Sequence, residues 1–255
     1  RFGERKRGGE IELPVDFQVR PEAKGFTVEV RDGGLLFIAP GAVEILYAVY
    51  DFAEEYLGYC FFEPGIDSLE EFGGKLELPA GKLIRNRRPA LKRRGFVQEF
   101  PFGEDNFVIG DWMVKNKLNY VQTWMKFYDS IDADLIDFYR VRGIEIESGH
   151  HNFSYLIPAE KYHHTHPEFF AEIGGRRIEP SSSKSALLLS EQLCTTNPGL
   201  REELVKNLLA YARKHPELRS VGLLPNDGFG WCECPECSKF YDKNIKGELD
   251  RKSVV

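Results

Sequence analysis

The amino-acid sequence predicts an α/β protein. A small N-terminal α/β domain over residues 1–88 precedes the N-terminal part of a (β/α)8 TIM-type barrel over residues 89–255. Three observations predict it. Residues 1–88 hold a hairpin signal and one long amphipathic helix pattern. From about residue 90 the pattern becomes strand, loop, helix, repeated, and this rhythm argues for a parallel sheet, either an open sheet or a (β/α) barrel. Polar and aromatic residues (Glu99, Trp124, His150, His151 and Asp227) follow the short apolar runs, and in a barrel those strand ends form the face that carries the active site. About 165 residues are available to the barrel against the roughly 250 of a closed eight-unit one, so an incomplete barrel is expected.

In the first domain, "GFTVEVRDGGLLFIAP" places two β-rich runs around Asp32-Gly33-Gly34, a hairpin signal. "GAVEILYAVYDFAEEYLGY" has apolar residues at helical spacing: Val43, Ile45, Leu46, Val49, Phe52, Ala53, Tyr56 and Leu57. Gly58 suits that helix's C-terminus. "CFFEPG" reads as a short strand and turn. "LELPAGKLIRNRRPALKRRGF" reads as a proline-marked linker whose basic run (Arg85, Arg87, Arg88, Lys92, Arg93, Arg94) is expected to form a solvated face.

In the second domain, "RRGFVQEF", "LNYVQTW", "GIEIESGHH", "ALLLSEQLCTTN" and "SVGLLPNDG" are strand candidates. "GEDNFVIGDWMVKNK" is helical. "SIDADLIDFYRVR" is a helix with Ser130 as N-cap and Asp132 and Asp134 in its first turn. "NPGLREELVKNLLAYARKHP" is a helix capped by Asn197 with Pro198 at its start.

The net charge of −6 gives no sign of nucleic-acid binding, and 42% hydrophobic residues supply a core. No apolar run approaches the roughly 18–20 residues of a membrane span. The first residues, "RFGERKRGGE", lack the apolar core of a signal peptide. GxSxG, HExxH, GxGxxG and the phosphate-loop signature are absent, which counts against serine hydrolases, zincins and dinucleotide enzymes.

Three places can carry chemistry. "PNDG" sets Asn226 and Asp227 at the end of an apolar run. A carboxylate there can protonate a leaving group or orient a substrate, and Asn-Asp-Gly is equally strong turn chemistry. Cys232, Cys234 and Cys237 form a CxCxxC cluster. With Cys194, which also ends a strand, they can surround one tetrahedral zinc in a structural role; a disulfide or buried free thiols is the other reading. "SGHHNFSYLIPAEKYHHTHPEFF" holds five of the six histidines. His150 and His151, with Phe153, Tyr155, Tyr162 and Phe169, read as a sugar-binding surface, where rings cover C–H faces and imidazoles bond hydroxyls. His163, His164 and His166 read as part of a loop packed by its own aromatics.

Several phrases together carry a resemblance. "ILYAVYDFAEEYLGYCFFEPG" resembles the small α/β domain that precedes the barrel in α-glucuronidases and family 20 β-hexosaminidases. "RRPALKRRGF" resembles the phrase that opens their barrel, and "IEIESGHH" is similar to the hexosaminidase "PEIDxPGH" strand. "HPEFFAEIGGRRI", "LCTTNP" and "PNDGFGWCECPECSK" resemble a domain family of formerly unknown function, some of whose members are endo-β-N-acetylglucosaminidases. The resemblance spans essentially the whole chain.

It implies a glycoside hydrolase that acts on β-linked N-acetylglucosamine glycans, endo-acting and substrate-assisted, with no cofactor needed for catalysis. Asp227 is the expected catalytic carboxylate. Arg94, His150, His151 and Asn226 are expected to hold the sugar, with Trp124 or Trp231 stacked on a ring. The hexosaminidase Asp-Glu pair is replaced here by Asn226-Asp227, so the general acid is expected beyond residue 255. A non-catalytic carbohydrate-binding fragment, or an α-glucuronidase with Arg93 and Arg94 on the uronate, would share the same loops. The expected partner is a carbohydrate, not a nucleic acid or a membrane.

Overall fold

The structure is a computed structural model, and it describes residues 13–69, 78–177 and 192–240. Along the chain come β1 (Val15–Val19), β2 (Phe26–Arg31), β3 (Gly34–Ala39), α1 (Ala42–Leu57), β4 (Tyr59–Glu63), β5 (Ile66–Leu69) and β6 (Gly81–Arg87). Then follow β7 (Gly95–Gln98), α2 (Asp105–Lys115), β8 (Tyr120–Thr123), α3 (Met125–Tyr128), α4 (Ala133–Val141) and β9 (Glu145–Ser148). The rest comprises α5 (Phe153–Leu156), α6 (Ala159–Tyr162), β10 (Glu172–Ile173), β11 (Arg176–Arg177) and α7 (Pro198–Lys214). Contacts divide the chain into two compact units. Of the described residues, the first holds 13–69, 78–96, 101–121 and 131–145; the second holds 97–100, 122–130, 146–177 and 192–240.

In the first unit a four-stranded sheet has the order β1-β3-β2-β6. The β2–β3 hairpin turns on Asp32 and Gly33, both at positive φ (49° and 81°), as a two-residue loop of this twist requires. Helix α1 lays Ile45, Ala48 and Phe52 on this sheet, with the Phe52 ring edge-on to Phe37 at 5.9 Å. Gly58 ends α1 in the left-handed conformation (φ 74°) and donates to the Ala53 carbonyl, as its position predicts.

The expected linker is corrected here. Residues 81–87 form strand β6, which pairs antiparallel with β2. The basic run is not a uniformly solvated face either. Arg87 bonds Asp51 (2.9 Å) and Glu55, Arg93 bonds Glu145 (2.7 Å), and Arg94 donates to the carbonyls of Lys117, Leu91 and Lys92. Buried Asp51 explains part of this, because it accepts both Arg87 and Lys117. A carboxylate inside needs cations to offset its lost hydration.

Strands β7, β8 and β9 form a sheet in that order. In the first unit their starts are tied by Asn119 N–H to Arg94 O (2.8 Å) and Glu145 N–H to Asn119 O (2.9 Å). In the second unit their ends are tied by Thr123 Oγ1–H to Gln98 O (3.0 Å) and Gly149 N–H to Thr123 O (2.8 Å). Starts meet starts and ends meet ends, so the strands run parallel. Val221 adds a parallel bridge to Ser148, and Gly222 N–H donates to Ser148 O (2.8 Å). The described residues therefore make three parallel strands and a fourth parallel contact, and no closed barrel.

The expected strand at 220–228 contracts to that single bridge. Of 186–197, residues 186–191 lie outside the described residues, and Leu193 bridges Phe170 antiparallel. Ser130 is not the cap of α4. Asp132 takes that place, and the Ser130 hydroxyl donates to Phe127 O at the end of α3. Asn197 does cap α7, its Oδ1 accepting from Leu200 N–H (3.0 Å).

The core of the second unit is built from Met125, Phe153, Leu156, Phe169, Phe170 and Tyr211, among others. This corrects the aromatic sugar surface. Phe153, Tyr162 and Phe169 are buried core residues, and Tyr155 uses its hydroxyl on Asp129. The Gly174-Gly175 turn closes the β10–β11 hairpin, and both glycines have positive φ. No described helix is long and apolar enough to cross a membrane.

Candidate functional site

The strand ends of the second unit gather the chemistry. Thr123 O accepts two consecutive N–H groups, from Gly149 (2.8 Å) and His150 (3.0 Å), so the chain turns sharply as it leaves β9. Gly149 sits at φ 138°, and a Cβ there would lie 2.3 Å from Gly222 O. Only glycine allows this approach. The next residue but one, His151, is itself left-handed (φ 43°), a conformation that costs a non-glycine residue on the order of 1 kcal/mol or more. It is held there by a 2.7 Å hydrogen bond from its Nδ1 to Pro225 O. A carbonyl only accepts, so Nδ1 carries a proton and Nε2 is the nitrogen left for another partner.

Asn152 then fastens this turn to the following segment. It is fully buried, its Nδ2 donates to Gly222 O (2.8 Å), its Oδ1 accepts from Leu224 N–H (3.0 Å), and its own N–H donates to Leu224 O (3.1 Å). Three bonds on two strandless segments substitute for a ladder.

Trp124, His150 and His151 come together as the sequence led us to expect. The indole centroid lies 5.9 Å from His150 and 5.7 Å from His151, and the two imidazoles are 4.0 Å apart. Lys126 Nζ lies 4.7 Å from the Trp124 ring centroid. His150 Nε2 is 3.4 Å from Glu99 Oε1, within ion-pair distance but without hydrogen-bond alignment. Among the described residues Trp124 Nε1 and both ring nitrogens of His150 are buried without a hydrogen-bond partner. Buried polar atoms are nearly always paired, so three unpaired nitrogens in one corner stand out. Burial depresses the His150 pKa below its ordinary value and the neighbouring His151 adds to this, while Glu99 and Asp227 pull the other way. The imidazole is therefore neutral at pH 7, able to donate from one nitrogen and accept at the other.

Asp227 is exposed. Its Oδ1 accepts from Gly228 N–H (2.9 Å), and its charge is felt by His150. Its side-chain hydrogen bond serves the turn. Asn226 is buried, its Oδ1 accepting from Ser154 N–H (3.0 Å) and its carbonyl from Gln192 Nε2 (2.6 Å), so its side-chain oxygen is spent on holding the loop. Trp231 is half-buried, five residues after Asn226. Arg94 belongs to the first unit. It precedes β7 whereas Glu99 follows it, and it lines a cavity of about 1040 Å³ in the first unit with Arg87, Arg88 and Lys92.

The four cysteines do converge. Cys194, Cys232, Cys234 and Cys237 are buried, and all four sulfurs lie within 4.8 Å of one another. Cys194 Sγ is 3.7 Å from Cys234 Sγ and 3.9 Å from Cys237 Sγ, and none is in a disulfide. A hydrogen bond from Cys232, with further ones from Thr196 and Arg177, pulls the Cys194 thiol pKa well below its ordinary value. The donor set suits a tetrahedral thiophilic cation.

Residues 77–250 match the family model described as "Domain of unknown function (DUF4838)". The chain belongs to this family. No curated protein matches this DUF4838 chain in sequence. Among solved structures, it is similar to one titled a beta-N-acetylhexosaminidase, with a TM-score of 0.50 and 15% identity over 85% of this chain and 51% of that one. It also matches a beta-N-acetylhexosaminidase from Bacteroides fragilis NCTC 9343, at a TM-score of 0.48 and 13% identity over 88% of this chain and 47% of that one. A glycoside hydrolase family 20 beta-N-acetylglucosaminidase matches at a TM-score of 0.45 and 11% identity, over 77% and 47%. The first of these likenesses shows a shared fold. The DUF4838 chain spans about half the length of these structures.

Two buried polar residues around the parallel strands were not signalled by the sequence. Asn152 gave no signal, since a lone Asn after two histidines reads as loop. Glu147 is buried in β9, with Gln122 Nε2 and Ser220 Oγ each donating to it at 2.8 Å. The polar alternation of "IEIES" is the trace it leaves in the sequence.

Proposed function

We propose that this chain is the saccharide-binding and catalytic part of a glycoside hydrolase acting on β-linked N-acetylglucosamine glycans. The observation that carries the reading is the trio of unpaired ring nitrogens on Trp124 and His150, beside the Glu99 carboxylate where parallel strands end, with Asp227 contributing charge to His150. A hydroxylated ring satisfies such a set. Its hydroxyls both donate and accept, and its C–H face suits the indole. The relatives of this fold that carry a hexosaminidase title support the class of reaction.

In this reading β7, β8, β9 and the segment at Val221 belong to a (β/α) barrel whose strand ends form the site, and residues 1–88 are a small accessory domain. Asp227 accepts a hydrogen bond from the substrate's 2-acetamido N–H and so aims the acetamido oxygen at the anomeric carbon. That oxygen forms the new C–O bond as the glycosidic bond breaks. A carboxylic acid gives its proton to the leaving oxygen, and water then opens the cyclic intermediate and returns the proton. Neutral His150 holds ring hydroxyls, and His151 Nε2 accepts from another. Cleavage within the chain of an N-glycan, rather than from its end, is the preferred mode.

The test is turnover by the full-length protein on an N-glycan and on an aryl β-N-acetylglucosaminide. Asp227→Asn is expected to lower kcat by on the order of a hundredfold or more, the usual cost of losing a group that orients the nucleophile and offsets developing charge in the transition state. Unchanged turnover would sink the assignment. Tight glycan binding by a wild-type protein with no turnover would make the domain a binding module instead.

A further inference from the structure

We propose that Cys194, Cys232, Cys234 and Cys237 bind one Zn²⁺ as a closed tetrathiolate site, which clamps the loop that carries Asp227. The sulfur positions argue for it first. Four sulfurs at about 2.3 Å from a tetrahedral zinc stand about 3.8 Å apart. The two separations seen from Cys194, 3.7 and 3.9 Å, match that edge, and they are far beyond the roughly 2.05 Å of a disulfide.

The surroundings argue for it independently. Hydrogen-bond donors converge on the sulfurs: Glu172 N–H on Cys232 (3.4 Å), Cys237 N–H on Cys234 (3.5 Å), and the Thr196 hydroxyl within 3.1 Å of Cys237. The Arg177 guanidinium donates to Cys232 at 3.7 Å. A neutral thiol is a weak acceptor, whereas a thiolate is a good one. Four thiolates on Zn²⁺ leave a net charge of −2, which Arg177 and the backbone dipoles offset. Such outer contacts are what orients and tunes a metal's ligands. The Cys237 N–H bond to the sulfur three residues earlier also turns Cys234 and Cys237 to the same side, as two ligands of one ion require.

The chain connectivity says what the ion does. Cys194 comes from the segment after the Phe170–Leu193 bridge, and the other three come from the stretch that begins five residues after Asp227. Ala171 completes the apolar cluster around the sulfurs, and Glu233 N–H donates to Glu172 O. Three segments with almost no regular structure thus meet at the sulfurs. All four positions are protein ligands, so the ion has no open site for water and its role is structural. It restrains residues 226–232 from the far side, while Asn226 restrains them from the near side.

The test uses the full chain, expressed in zinc-supplemented medium and purified anaerobically without a metal-affinity step. Metal content by mass spectrometry is expected near one zinc per chain. Exchange for Co²⁺ is expected to give the strong visible d–d bands and near-ultraviolet sulfur-to-cobalt charge transfer of a tetrahedral thiolate site. Of the five cysteines only Cys60 should react quickly with a thiol reagent in the native protein, the other four following only when a chelator is added. Cys194→Ser should lower retained zinc at least about fivefold after dialysis against a weak chelator. Should that variant not fold, the metal content and cobalt spectrum of the wild type decide alone. Zinc below about a tenth per chain without a cobalt spectrum, a mass showing a disulfide among the four, or iron in place of zinc would each overturn the proposal.

Discussion

Asn152→Ala removes the side chain that joins the histidine turn to the segment leading to Asp227. Two backbone groups lose their partners, Leu224 N–H and Gly222 O, each now bonded at 3.0 Å or less. Removing one partner of a bond leaves the other stranded, which costs about 1–3 kcal/mol for each group where water cannot reach it. Leu224 and Gly222 are half-buried, so the lower half of that range applies, and the expected loss is about 2–4 kcal/mol. Equilibrium urea unfolding, read at an unchanged m-value, measures it. Asn152→Asp separates the two bonds. It keeps the acceptor for Leu224 N–H and turns the donor at Gly222 O into a repelling oxygen, so it should cost at least as much as Ala. A loss below about 0.5 kcal/mol for both variants, the range of an ordinary surface change, would refute the reasoning that these bonds fix the loop.

Further outcomes follow from the same contacts. Lys117→Met leaves buried Asp51 with Arg87 alone and should destabilise the protein by about 2–3 kcal/mol in thermal or urea unfolding, and adding Asp51→Asn should recover most of it. Burial lowers the His150 pKa in the folded protein, so its contribution to stability is complete above about pH 6.5, the unfolded value, and erodes as pH falls from there toward the folded value. Titration of the imidazole C–H signals by NMR should place the midpoint below 6.5. Glu99→Gln should lower it further, and a rise on that substitution would contradict the placement of Glu99.

The parts of the molecule that were legible in the sequence are those that local rules govern. The Asp32-Gly33 turn, the Gly58 helix end and the Asn197 cap each follow from one residue's own backbone or side-chain preference. The gathering of Trp124, His150 and His151 was legible for a different reason: all three leave parallel strands at the same end. The cysteine cluster was legible from its spacing, and Cys194 from the strand expected before it, of which the described residues show the Leu193 bridge to Phe170. What failed depended on distant partners. Strand β6 hid inside a basic, proline-flanked stretch because its pairing with β2 is tertiary. Arg94 looked like a free ligand group, yet three carbonyl oxygens within its own unit take its guanidinium. Phe153, Tyr162 and Phe169 looked like a sugar platform because composition alone does not say which face of a loop turns inward. Asn226 shows the mixed case, as it stands at the predicted strand exit with its side-chain oxygen used to hold the Ser154 amide.

The central claim, that the corner of Trp124 and His150 takes a sugar, is tested most directly at the indole N–H itself. In a ¹⁵N-labelled protein the Trp124 Nε1–H resonance, assigned by Trp124→Phe, is to be followed during titration with a soluble N-acetylglucosamine oligosaccharide. The account predicts a saturable shift of that resonance together with the His150 ring signals, lost in His150→Ala. Saturating oligosaccharide that binds elsewhere and leaves both sets of signals in place would contradict it.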